Sequence, residues 1–163
     1  MTLSPILEAP FIVQFHVLVA LPALLIGPFA LFRPRRDKLH WQLGSVWLIC
    51  ITALAVSGLM IESEIPILWH FGPIHLLSIF ALRGVVEGLW RIRRGQITKH
   101  RQAMRELWFG AMGSAGLFTL LPGRMMNEMV FGAPSDTGWL IIGLGVIALA
   151  LLAWQTRNQL PHP

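Results

Sequence analysis

Four of the six histidines in this 163-residue chain share a spacing that could hold metal. His16 begins an apolar run, the cluster Arg33-Pro34-Arg35-Arg36 follows, and His40 comes 24 residues after His16. His75 begins a second apolar run, the cluster Arg91-Ile92-Arg93-Arg94 follows, and His100 comes 25 residues after His75. Each unit therefore reads His, membrane crossing, Arg-x-Arg-Arg, His. Two such hairpins can set two imidazoles at each of two membrane depths. A b-type haem takes one axial imidazole from each wall of a slot, so the pattern suits two haems. Histidine inside a membrane segment is costly and is by default a functional-site hypothesis.

The elements that must carry these rings are apolar helices. Hydrophobic residues make up 55% of the chain and charged ones 13%, and mean hydropathy is +0.63. A soluble domain of this size carries about a quarter charged residues, so the composition is that of an integral membrane protein with one membrane domain over 1–163. About 20 apolar residues cross the hydrocarbon core. Five segments approach that length, at roughly 11–32, 39–61, 67–90, 107–121 and 139–154, the fourth with an interfacial extension from near Lys99. The expected fold is all-α, with helical hairpin repeats over about 11–61 and 67–121 forming a four-helix up-down bundle. The fifth helix, without an ionisable residue between Trp139 and Trp154, is peripheral.

Charge sets the expected topology. Net charge is +5, but the basic residues lie in short loops rather than in a nucleic-acid footprint. Arg33, Arg35, Arg36, Lys38, Arg91, Arg93, Arg94, Lys99, Arg101, Arg105 and Arg157 fall on one side, and Glu8, Glu62, Glu64, Glu128 and Asp136 on the other. The positive-inside rule then puts the amino terminus outside in a bacterial-type cytoplasmic membrane. The first apolar run reads as a retained helix, because MTLSPILEAP lacks the basic start of a secretory signal. Residues 124–137 read as the longest outer connection. Trp41, Trp69, Trp90, Trp108, Trp139 and Trp154 lie near expected helix ends, as an interfacial belt would.

Alternate helices of such a bundle lie diagonally across its core. The outer pair is then His16 with His75, and the inner pair His40 with His100. Ala20, Ala23 and Gly27 follow His16 on one helical face, Gly44 follows His40 at i+4, and Gly110 to Gly116 is rich in small residues. These stripes suit a flat macrocycle or, equally, close helix packing. Arg83 and Glu87 stand at i and i+4. A mutual ion pair explains them best; a haem propionate or quinone carbonyl on Arg83 is the functional alternative. His70 competes with His75 and could line an outer opening. Cys50 is a small packing residue, and His162 in the tail carries no assigned role.

The run from His16 through Gly27-Pro28-Phe29, then His40-Trp41-Gln42-Leu43-Gly44, and later Arg94-Gly95-Gln96-Ile97 with His100-Arg101 and Met104, resembles the predicted membrane proteins grouped as domain of unknown function 2306. The stretch Gly116-Leu117-Phe118-Thr119-Leu120-Leu121-Pro122-Gly123-Arg124 is similar to part of that group too. This resemblance implies fold and topology and brings no activity with it. The histidine arrangement is also similar to cytochrome b561-type proteins, in which two diagonal helix pairs bind two b haems and pass electrons across the membrane.

The expected function is transmembrane electron transfer by a diheme b-type cytochrome, linked to a quinol, to superoxide or to a redox partner protein. Membrane lipid is the general partner, and a homo-oligomer is compatible with the chain. The rival expectation is a non-catalytic membrane subunit or scaffold with structural histidines. A transition-metal site on imidazoles stands third.

Overall fold

The structure is a computed structural model that describes residues 4–63, 67, 69, 71–131 and 137–158. Glu64, His70, Asp136 and His162 lie outside the described residues. The described residues are helical, with no strand among them. In chain order the elements are α1 (Ser4–Leu7), α2 (Phe11–Phe32), α3 (Lys38–Met60), α4 (Pro73–Arg93), α5 (Ile97–Glu106), a π-helical segment (Leu107–Gly113), α6 (Ser114–Phe118), α7 (Met125–Phe131) and α8 (Thr137–Asn158). The chain forms two compact units. One is Pro10–Ala111; the other is Met1–Ala9 with Met112–Pro163.

In the Pro10–Ala111 unit each helix stops for a local reason. The α2 helix runs through Pro22 and Pro28 and ends at Arg33, which is extended because Pro34 disfavours a helical residue before it. Asp37 caps α3, its carboxylate accepting from His40 N–H at 3.1 Å. The third helix begins six residues later than the apolar run suggests. Gly72 is extended, and Pro73 takes the first helical position, where its missing N–H costs nothing. At the other end of α4, Gly95 has φ +71°, a left-handed conformation that glycine adopts without penalty. It lets Gln96 N–H donate back to Arg91 O at 2.9 Å, and α5 starts at once.

Packing within this unit is sequential, α2 on α3, α3 on α4 and α4 on α5, with α5 returning against α2. Trp47, Ile51 and Ala55 make the buried stripe of α3, and Ala23, Gly27 and Ala30 that of α2. Trp47 is 1% exposed, and its Nε1–H donates to Ala23 O at 2.9 Å. At Gly27 a Cβ would sit 2.4 Å from Trp108 Cδ1 and 2.8 Å from Trp47 Nε1. The small-residue stripe of α2 is therefore filled by two indoles. Trp108 lies against a helix backbone, while Trp41, Trp69, Trp90, Trp139 and Trp154 are exposed.

Among the described residues two helices, α2 and α3, are long and apolar enough to cross a membrane. Only 17% of the apolar window of α2 and 22% of that of α3 is buried within the protein. Phe11, Leu18, Leu25 and Phe29 stand open on α2, and Ile49 and Met60 on α3. A core helix of a soluble domain would bury most of such a face.

In the other unit α6 packs on α8. Leu149 fills the space at Gly113, and Leu117 that at Gly145. Residues 125–131, expected within a connection, form α7 instead. The run MMNEMVF has no Gly or Pro, and Met and Glu are good helix formers. Asn127 is fully buried and donates from Nδ2 to Leu120 O at 2.8 Å. Gly138 approaches both groups so closely that a Cβ there would lie 2.3 Å from Leu120 O.

Candidate functional site

All four repeat histidines lie in the Pro10–Ala111 unit, and each bonds to a second helix or its cap. Two serve the turn end, beside residues 33–37. His40 Nδ1–H on α3 donates to Ala30 O on α2 at 3.1 Å. His100 Nδ1–H on α5 donates to Gly88 O on α4 at 2.9 Å. The duplicated spacing thus builds the same clasp twice, because the histidine after each arginine cluster reaches back to a carbonyl near the end of the preceding helix. The two imidazoles lie within electrostatic reach of one another. His40 also faces Arg36, whose Nη1 is 3.2 Å from Nδ1 and 3.5 Å from Nε2. No partner of His100 Nε2 occurs among the described residues.

At the open end of the α2–α3 hairpin the rings are used differently. His75 is 2% exposed. Its Nδ1 accepts from Gly72 N–H at 3.1 Å, which forces the proton onto Nε2, and Nε2–H donates to Ile61 O at 3.0 Å. Both nitrogens are spent on starting α4 and tying it to the end of α3. His16 Nδ1 lies 2.9 Å from Ser57 Oγ. The Ser57 hydroxyl donates to Leu54 O at 3.0 Å, so its oxygen accepts from His16 Nδ1–H. Ser57, 2% exposed, is a partner that the spacing argument did not find; its only signal is a hydroxyl in the last turn of an apolar helix.

Arg83 is exposed on α4. The expected Arg83–Glu87 pair is not formed. Glu87 is held by Arg91, whose Nε is 2.9 Å from Oε1. Both partners stood at i,i+4 from the carboxylate, and a carboxylate on the amino-terminal side of its cation is the better order. Arg83 instead lines a shallow apolar groove on the open face of α4 with Ile79, Leu82 and Val86.

The turn between α2 and α3 is strongly charged. Arg33 grips Asp37 with two bonds, Nε–Oδ1 at 3.0 Å and Nη2–Oδ2 at 2.6 Å. That guanidinium, together with the His40 N–H, holds the Asp37 carboxyl far below the usual carboxylate range. Partial burial, and then the nearby Arg101 and Arg105, push the Arg36 guanidinium below its ordinary value.

No group of three or more His, Cys, Asp or Glu side chains able to hold a metal ion occurs among the described residues. A centre on protein ligands alone is therefore not assembled there, whereas a haem iron asks the chain for only two. The family described as predicted membrane protein (DUF2306) matches residues 13–156. The chain belongs to this family. No curated protein and no solved structure matches it. Within this DUF2306 chain the match covers all four repeat histidines, the whole of α3 and all but the first two residues of α2.

Proposed function

We propose that this DUF2306 protein is a multi-pass protein of a bacterial-type cytoplasmic membrane, amino terminus outside, that carries electrons on b-type haem. Its core would be a four-helix up-down bundle with α8 as a peripheral fifth helix. One observation carries the reading: His40 and His100 lie within electrostatic reach of each other, and each holds Nδ1–H on a backbone carbonyl. Ligating histidines are oriented by that kind of bond, which fixes the tautomer and reserves Nε2 for the metal. Nε2 of His100 has no partner among the described residues, and that of His40 would be open to iron once Arg36 Nη1, 3.5 Å away, turns aside; at Gly44, on the face of His40, a Cβ would meet no heavy atom within 4 Å. Bound there, a haem would supply one-electron chemistry, while the chain orients the imidazoles and surrounds them with arginines. The electron donor or acceptor would be a quinone or a redox partner protein.

The second expected haem, on His16 and His75, does not fit these residues, because both nitrogens of His75 are engaged. That observation favours a second reading for the open end, in which histidines fasten helices in a non-catalytic membrane subunit.

The deciding measurement is a reduced-minus-oxidised spectrum of the purified protein from haem-replete cells. A b-type spectrum that disappears in both His40→Ala and His100→Ala, and survives in His75→Ala per folded molecule, is the expected outcome. A colourless, well-folded protein overturns the electron-carrier reading and leaves the fastener.

A further inference from the structure

The α4 helix carries a charge where a membrane helix can least hold one. Arg83 stands ten residues after Pro73 and ten before Arg93, so it lies at mid-helix, about 15 Å from either end at 1.5 Å per residue. A charge at that depth is costly and almost always faces protein or a water-filled cavity. Yet Arg83 is exposed, and no hydrogen bond or ion pair reaches it among the described residues. The helix packs on α3 and α5 through other faces, with Ala81 and Val85 buried and with Gly84 and Gly88 against Leu107 and Met104.

The open face has the periodicity of a helix seam. Leu76, Ile79, Arg83, Val86 and Trp90 are all exposed, at steps of three, four, three and four. That spacing keeps one narrow stripe on one side of a helix. It is the a/d pattern of helix pairing, in which a lone polar residue at an a position fixes the register. The stripe ends at Trp90, whose ring lies 4.0 Å from Arg94 Cζ. Glu87 borders the stripe one turn beyond Arg83. Both contacts from Arg91 fall on Glu87 Oε1, so Oε2 can accept a further guanidinium. The two signs stand about 6 Å apart along one helix. A two-fold axis along the membrane normal would set Arg83 of each copy against Glu87 of the other. We propose that this face of α4 is the contact between two copies of this chain, held by Arg83 and Glu87 exchanged across the axis. A different partner would have to bring its own carboxylate to that depth; a second copy already carries it. The proposal rests on the reading that α4 crosses the membrane and not on haem.

The test dilutes the full chain in phosphatidylcholine vesicles and reads pairing by energy transfer between two labelled pools. The parent protein should pair. Arg83→Gln and Glu87→Gln should each weaken pairing about tenfold. Arg35→Gln removes an exposed charge from the α2–α3 turn and should weaken it less than about twofold. Arg83→Glu and Glu87→Arg copies should each fail to pair alone and should pair when mixed, a recovery that contact between copies alone produces. A second measurement stands if Glu87→Arg, which loses Arg91, misfolds. With Cys50→Ala as background, Val86→Cys should cross-link between copies on oxidation, and Ile49→Cys, on the open face of α3, should not. A monomer at every dilution, no recovery in a mixture of folded variants, or equal cross-linking at both positions overturns the proposal. Labelling of Val86→Cys by a membrane-impermeant maleimide would overturn the membrane crossing of α4 as well. Protection from that reagent in a monomeric protein would overturn the dimer alone.

Discussion

The two ends of the α2–α3 hairpin spend their histidines in opposite ways. At the open end His75 commits both nitrogens, one to Gly72 N–H and one to Ile61 O. At the turn end His40 and His100 each commit Nδ1 to a carbonyl; Nε2 of His40 faces only the exposed fork of Arg36 at 3.5 Å, and Nε2 of His100 has no partner among the described residues. A histidine with both nitrogens bonded inside the fold is a fastener. One that bonds through a single nitrogen is fastened and still has a ligating atom. The same residue type, at the two places of a repeated pattern, therefore acquires different chemical capacity from the groups around it.

The largest expected effect tests the open end. His75→Ala removes a helix-start bond and an interhelical bond and leaves Ile61 O without its donor. It should destabilise the protein by about 2 kcal/mol, measured by thermal unfolding in detergent. A change indistinguishable from zero would mean that His75 is not a fastener, and the contrast between the ends would fail.

A double-mutant cycle on His40 and His100 sharpens the turn end. Their carbonyl partners, Ala30 and Gly88, are separate. As fasteners alone, each alanine variant should cost about 1 kcal/mol, and the two should add to within about 0.5 kcal/mol. Coupling well beyond that in haem-replete protein, absent from haem-free protein, would mark a shared iron.

The smallest effect concerns Asp37, which is exposed. Its folded-state pKa lies below its unfolded value, so its contribution is present above the ordinary carboxylate range and is lost as pH falls through the folded pKa. Asp37→Asn keeps a capping side chain and removes the charge. Its melting temperature should therefore fall less steeply on acidification than that of the parent protein. Parallel acid profiles would show that the Arg33–Asp37 grip adds nothing to the turn end.

Much of the architecture was legible from residue order. The apolar runs behind α2 and α3 stand out because a membrane helix needs length and low charge, and both are local properties. The cap at Asp37 was not read from the sequence, although a cap residue ahead of an apolar run is a local signal of the same kind. The later start of α4 has a local cause too, since Gly72-Pro73 is a helix-start signal that the apolar run through Ile67 masked. Helix α7 was hidden by its neighbours, Gly123 and the Gly-Ala-Pro-Ser run at 132–135, which read as loop.

The repeat of histidine and arginine clusters belongs to the sequence by itself, and with it the fact that two rings recur beside two basic turns. Their capacity belongs to the tertiary structure. Whether an imidazole nitrogen remains available depends on which carbonyl, hydroxyl or N–H stands about 3 Å away, and those groups come from residues 10 to 41 positions distant or from the cap of the same helix. Helical periodicity fixes which face a side chain takes. It does not fix what the neighbouring helix presents to that face. For the same reason Glu87 found Arg91 rather than Arg83, and the stripe at Gly27 received two indoles instead of an open slot.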